Sequence, residues 1–178
     1  FYWQFVRSAV NEIKTERIAS SLSWIIFVLF VVVFVNMMEL PRIPIEAPDK
    51  NALRNFHIAT GSLLFACSCF RVHFWLQSPP QKKQGQLPIE AYNQLHTLQF
   101  SLYCAFIGQG LTGIVTAWSD GLMQFLPGAT TANHALWVLS GYLHSVFAFF
   151  YLAIILYIAL TGFYHMIRYR VWRFSIFA

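Results

Sequence analysis

Apolar residues fall into four long runs, separated by short segments that hold most of the Pro, Gly and charge. From Ile18 to Met38 there is no charged residue at all. Three further runs extend from about Phe56 to Leu76, Leu95 to Trp118 and Ala135 to Ile167. About 20 consecutive, mostly apolar residues suffice for a helix to cross a hydrocarbon core, so the pattern predicts four membrane-spanning helices. With every backbone polar group needing a partner inside the bilayer, helices packed as a bundle are the economical arrangement. The last run exceeds the hydrocarbon thickness, so its helix tilts or projects into water. Pro41, Pro44 and Pro48 punctuate the first connection, Pro79, Pro80, Gly85 and Pro88 the second, and Gly121, Pro127 and Gly128 the third. The expected architecture is all-α, one four-span domain over residues 1–178, with no internal repeat and no room for a second domain. The chain starts at Phe1 rather than Met, so some N-terminal sequence is expected to be missing or processed; no cleavable signal is visible.

Composition sharpens this picture. Of the 178 residues 57% are hydrophobic and only 11% charged, against about 25% charged in soluble domains. Disorder is excluded and a soluble domain disfavoured. A net charge of +5 does not point to nucleic acid, because the basic residues sit at the edges of apolar runs. They also set an orientation. Arg7, Lys14, Arg17, Lys82, Lys83, Arg168, Arg170 and Arg173 flank one side, against Arg42, Lys50 and Arg54 on the other. Both termini are therefore expected on the cytoplasmic or matrix side of a bacterial or mitochondrial inner membrane. The three cysteines, Cys67, Cys69 and Cys104, have no CxxC spacing and read as small apolar packers.

Chemistry concentrates in the histidines. His57 stands near the start of span two and His144 about two turns into span four. These spans run in the same direction, so both rings lie in one leaflet. Two imidazoles facing each other across a bundle suit bis-His ligation of a haem iron; two hydrogen-bonded core histidines are the bland alternative. Gly61 follows His57 by one turn, where a missing side chain lets a flat macrocycle approach. Arg71 is fourteen residues on, within about 40° of the His57 face and about 21 Å along the axis. Its guanidinium is placed either for a haem propionate or quinone head group, or for lipid phosphate by snorkelling.

The run His57-Ile-Ala-Thr-Gly61 with Arg71 after it resembles the second helix of the bacterial cytochrome b-561 family, which groups with the cytochrome b subunits of hydrogenases and formate dehydrogenases. Leu102-Tyr103 and Leu111-Thr112-Gly113 resemble its third helix. His144 matches its ligand histidine on the fourth, and Gly162-Phe163-Tyr164-His165 its end. The resemblance covers about Thr15 to Arg173. It implies a membrane haem b electron-transfer protein, with His57 and His144 as metal ligands and Gly61 and Arg71 beside the cofactor. A quinone or other respiratory subunits are the implied partners, and the chain is an electron carrier or accessory subunit rather than a stand-alone enzyme.

Family members typically hold two haems. The second ligand pair would come from a Leu-His-Trp on the first helix and a histidine fourteen residues past the first ligand on the fourth. Here Leu22-Ser23-Trp24 and Ile158 stand at those places. Random decay would more often strike one ligand of a pair, so one haem is expected to be retained and the other lost, with aromatic side chains or lipid filling the space. His73 lies about 160° around the helix from His57 and points away. His165, about 31 Å beyond His144, reaches the membrane edge. His96 begins span three, near a position where the family has histidine and this chain has Gln99; His96 with His165 is a minor alternative for a replacement site. His134 reads as a loop residue. Loss of one haem favours the competing reading, a degenerate cytochrome serving as an accessory or anchor subunit. Ser20, Ser21, Gly108 and Gly110 are expected at close helix contacts.

Overall fold

The computed structural model describes residues 2–44, 46–80, 87–123 and 132–170, with the backbone alone for 2–15 and 41. Among these residues there are four long helices, α1 (Tyr2–Glu39), α2 (Lys50–Gln77), α3 (Ile89–Ser119) and α4 (His134–Tyr169), with one 3-10 turn at Leu40–Arg42. All four are long and apolar enough to cross a membrane, α1 through its Glu16–Glu39 portion. The protein is a four-helix membrane bundle.

The four runs are where the pattern places them, but the helices overshoot the apolar limits. α3 begins at Ile89, six residues ahead of the expected span; Pro88 is its N-cap, and the Pro88 carbonyl accepts the Tyr92 N–H at 2.9 Å as the first helical hydrogen bond. α4 begins at His134, which is thus helical rather than a loop residue, stacked on Trp137. The Asn133 side chain accepts the Leu136 N–H at 3.1 Å and caps that start. Gly121, at φ 76°, turns the chain out of α3 in the left-handed region that suits glycine. At 36 residues α4 is about 54 Å long, so it exceeds the hydrocarbon as expected. Lys50 Nζ donates to the carbonyls of Leu40 (2.9 Å) and Ile43 (2.7 Å), tying the end of α1 to the start of α2. Gly85, Lys82, Lys83, Pro127, Gly128 and Arg173 lie outside the described residues.

Successive helices pack side by side, α3 against α4 most extensively, then α2 against α3 and α1 against α2. The core comprises Ile26, Leu64, Tyr103, Ala105, Phe106, Tyr151, Ile154 and Ile158. Large apolar side chains such as Tyr142, Phe149 and Leu156 face outward, as lipid rather than water permits. Gly108 and Gly110 sit where a Cβ would collide with the Phe147 and Phe65 rings, so they permit the close helix approach expected of them. Ser21 does not: it is exposed. Cys67 packs against the core while Cys104 is exposed, and all three cysteines are free.

Candidate functional site

At the end of the bundle where α2 and α4 begin, all four helices line a cavity of about 610 Å³. That lies within the roughly 300–1,000 Å³ of small-molecule and cofactor pockets. Its deep wall is apolar (Phe30, Leu64, Phe106, Tyr151), and its mouth carries Leu40, Arg54, Asp120 and Leu122. His57, Gly61 and His144 all line it, so the structure brings these three sequence-singled residues together.

The two imidazoles face each other with ring centres 6.5 Å apart and planes at 82°. Two imidazoles bonded to one metal at about 2 Å each would have centres about 6 Å apart. A Cβ on Gly61 would meet nothing within 4 Å, which leaves open space beside His57. His57 Nδ1 is buried without a hydrogen-bond partner, an uncommon state for a buried polar atom unless something else occupies it.

His144 is held more tightly. Its Nδ1 lies 2.9 Å from the Gln109 carbonyl oxygen. A carbonyl can only accept, so Nδ1 carries the proton and Nε2 presents its lone pair. The Gln109 amide accordingly donates from Nε2 to His144 Nε2 at 3.0 Å. A backbone acceptor that fixes the tautomer and leaves the other nitrogen basic is what a metal-ligating histidine needs. The Gln109 amide occupies that lone pair at a cost, because its own Oε1 is buried and unpartnered. Gly113 touches the same ring: a Cβ there would lie 2.8 Å from His144 Cε1. The donor pair, the glycine-flanked space and the unpartnered atoms fit a haem. Among the described residues no three His, Cys, Asp or Glu gather into a metal cluster, so the porphyrin would have to supply the remaining ligands.

Arg71 does not line this cavity. It is buried (2% exposed) at the other end, its Nε donating to Ser23 Oγ at 2.9 Å. The guanidinium carbon sits 4.9 Å from the Trp75 ring centre and 5.3 Å from that of Tyr103. Such burial removes it from lipid phosphate, so it does not snorkel. Ser23 also accepts from Tyr103 Oη at 2.9 Å and donates to the Ala19 carbonyl at 3.0 Å. Gln99 Nε2 donates to Tyr103 Oη at 3.2 Å. Polar groups thus fill this region together with the Trp75 and Tyr103 rings, where aromatic side chains or lipid were expected. Ile158 is buried in the adjoining core.

The other histidines are placed by their neighbours. His73 is exposed and absent from the cavity lining, as its helical phase predicts. His165 is buried between Tyr164 and Tyr169 near the end of α4. His96 stacks on Tyr92 (4.0 Å) and lies tilted against Trp75 (5.2 Å). His96 and His165 each keep one buried ring nitrogen without a partner, but they pack among different aromatic neighbours.

Sequence reasoning missed Gln109 and Arg54. Both carried a signal: Gln109 is a long polar side chain between two glycines inside an apolar run, and Arg54 is three residues from His57 on the same helix face.

A model of the prokaryotic cytochrome b561 family matches the chain over residues 18–174. No curated protein and no solved structure matches it. With four membrane-spanning helices and a match over most of its length, the chain belongs to the prokaryotic cytochrome b561 family and is a multi-pass membrane protein that transfers electrons through haem b.

Proposed function

We propose that the chain holds a single haem b, ligated by His57 and His144 in the glycine-lined cavity, and exchanges electrons with a quinone or a respiratory partner subunit. The observation that carries this is the facing imidazole pair, 6.5 Å between ring centres, across a space that Gly61 leaves open. Bound there, haem b supplies a one-electron couple at the iron. The chain's own residues do the rest. Gln109 orients His144 through its backbone carbonyl, Gly61 leaves room beside His57 on α2, Gly113 of α3 lets the His144 ring pack closely, and Phe30, Phe106 and Tyr151 exclude water from the deep wall.

The second family site is read as lost. In place of its ligands stand Ser23, whose hydroxyl is fully engaged by Arg71, Tyr103 and Ala19, and Ile158, which belongs to the apolar core. Of the roles open to Arg71, the one its contacts support is closure of this region rather than contact with the cofactor at His57. The same filling favours the second reading, an accessory subunit: a lone haem in one half of the bilayer is poorly placed to pass electrons across all of it. The proposed setting is a prokaryotic inner membrane with both termini on the cytoplasmic side, as the flanking Lys and Arg imply.

The test is a reduced-minus-oxidised optical spectrum of the purified protein, with haem quantified per chain. One b-type haem per chain is expected. Two, or none, overturns the ligand assignment.

A further inference from the structure

The cavity carries its histidine pair in the interior and its charged side chains, Arg54 and Asp120, at the mouth. Among the described residues that line it there is a single Lys or Arg, Arg54, at the mouth. Arg54 Nε is buried and has no hydrogen-bond partner. Its Nη2 donates at 3.0 Å to Asn51 Oδ1, a neutral acceptor. Asp120 lines the same mouth, yet the only salt bridge among the described residues is Arg42–Glu39, so Asp120 lies beyond ion-pair distance of Arg54. A guanidinium facing an apolar cavity without an anionic partner is expensive to keep unless something pairs with it.

We infer that Arg54 binds the carboxylate edge of the cofactor and fixes which way round it enters. The inference rests on the ligand reading proposed above. Arg54 and His57 are three residues apart, hence neighbours on one helix face. A flat ligand attached through His57 therefore brings its rim within reach of the Arg54 side chain. An amphipathic macrocycle has one orientation that suits this cavity: acidic substituents toward Arg54, apolar edge against Phe30, Phe106 and Tyr151. Asp120 works to the same end, because it repels a carboxylate from the α3 side of the mouth. The guanidinium presents paired donors to a carboxylate, which an ammonium cannot match.

The experiment uses the full chain stripped of haem and refilled with haem b or with its dimethyl ester, in which both carboxylates are masked. Wild-type protein should bind haem b about ten- to a hundredfold more tightly than the ester, the range expected for a charge-assisted hydrogen bond. Arg54→Gln should abolish that preference by weakening haem b alone, and should move the midpoint potential of bound haem b to a more negative value, since a positive charge near the iron favours the reduced state. Arg54→Lys should keep part of the preference, and guards against misfolding of the glutamine variant. Equal weakening of both ligands by Arg54→Gln would make the residue structural or a holder of lipid phosphate, and would overturn the inference. So would an unchanged preference. A low-spin spectrum that survives His57→Ala would instead defeat the ligand assignment itself.

Discussion

The two ends of the bundle are enclosed by the same four helices and are built on opposite principles. Around His57 and His144 the interior is hollow, and buried polar atoms (His57 Nδ1, Gln109 Oε1, Arg54 Nε) lack partners. Around Ser23 it is filled, and one hydroxyl uses both its lone pairs and its proton on Arg71, Tyr103 and the Ala19 carbonyl. Unsatisfied buried polar groups cost about 1–3 kcal/mol each, and three of them gather on the lining of this one cavity. The difference teaches that Ser23 is more than a missing histidine. It is the acceptor that allows a guanidinium to be buried with no salt bridge among the described residues, helped by the Trp75 and Tyr103 rings, each worth up to about 2 kcal/mol when desolvated.

The comparison breaks most sharply at the ligands. His57→Ala or His144→Ala is expected to abolish the low-spin haem spectrum entirely, whereas His73→Ala should leave it intact. Loss of the spectrum on His73 replacement would show that the hollow end is not where the cofactor sits.

Next in size is loss by filling. Gly61→Leu places a side chain in open space, so haem per chain should fall severalfold while the thermal stability of the haem-free protein holds or rises, glycine being about 1 kcal/mol poorer than most helix formers. A variant that binds haem normally would place the macrocycle elsewhere. Gly113→Ala should act differently, because its Cβ meets the His144 ring: the expected signature is an altered spectrum of the retained haem.

At the filled end, Ser23→Ala leaves Arg71 Nε and Tyr103 Oη short of a partner. It should lower stability by about 1–3 kcal/mol in a thermal or denaturant melt and leave the haem spectrum unchanged. A spectral change would mean that the two ends are not separate.

The smallest effect expected is none. Ser23→His combined with Ile158→His puts histidines at the two positions of the second site proposed to be lost, but Arg71 and Tyr103 already occupy the space around position 23. Haem content should stay at one per chain. Uptake of a second haem would show the filling to be yielding, and the contrast between the ends overstated.

Much of this was readable without the structure, for a physical reason. Apolar run length and Pro/Gly punctuation decide membrane helices locally, since a backbone in lipid has no partner but itself; hence the four spans and their antiparallel order. Depth along two spans that run the same way likewise placed His57 and His144 at one level, and helical phase put Gly61 beside His57 and turned His73 away. Boundaries were less legible. Pro88 and Asn133 stand at helix starts that lie beyond the apolar limits hydropathy marks, and Asn133 caps its helix.

What only the tertiary structure decided was what each side chain meets. Arg71 shares the His57 face by phase, yet 21 Å of axial separation in about the same direction says nothing of the Ser23 hydroxyl offered by another helix. The His144 tautomer depends on a carbonyl of α3, thirty-five positions away in the chain. Hydropathy and periodicity describe one helix at a time. Hydrogen bonds and cavities belong to pairs of helices, and their register is set by packing.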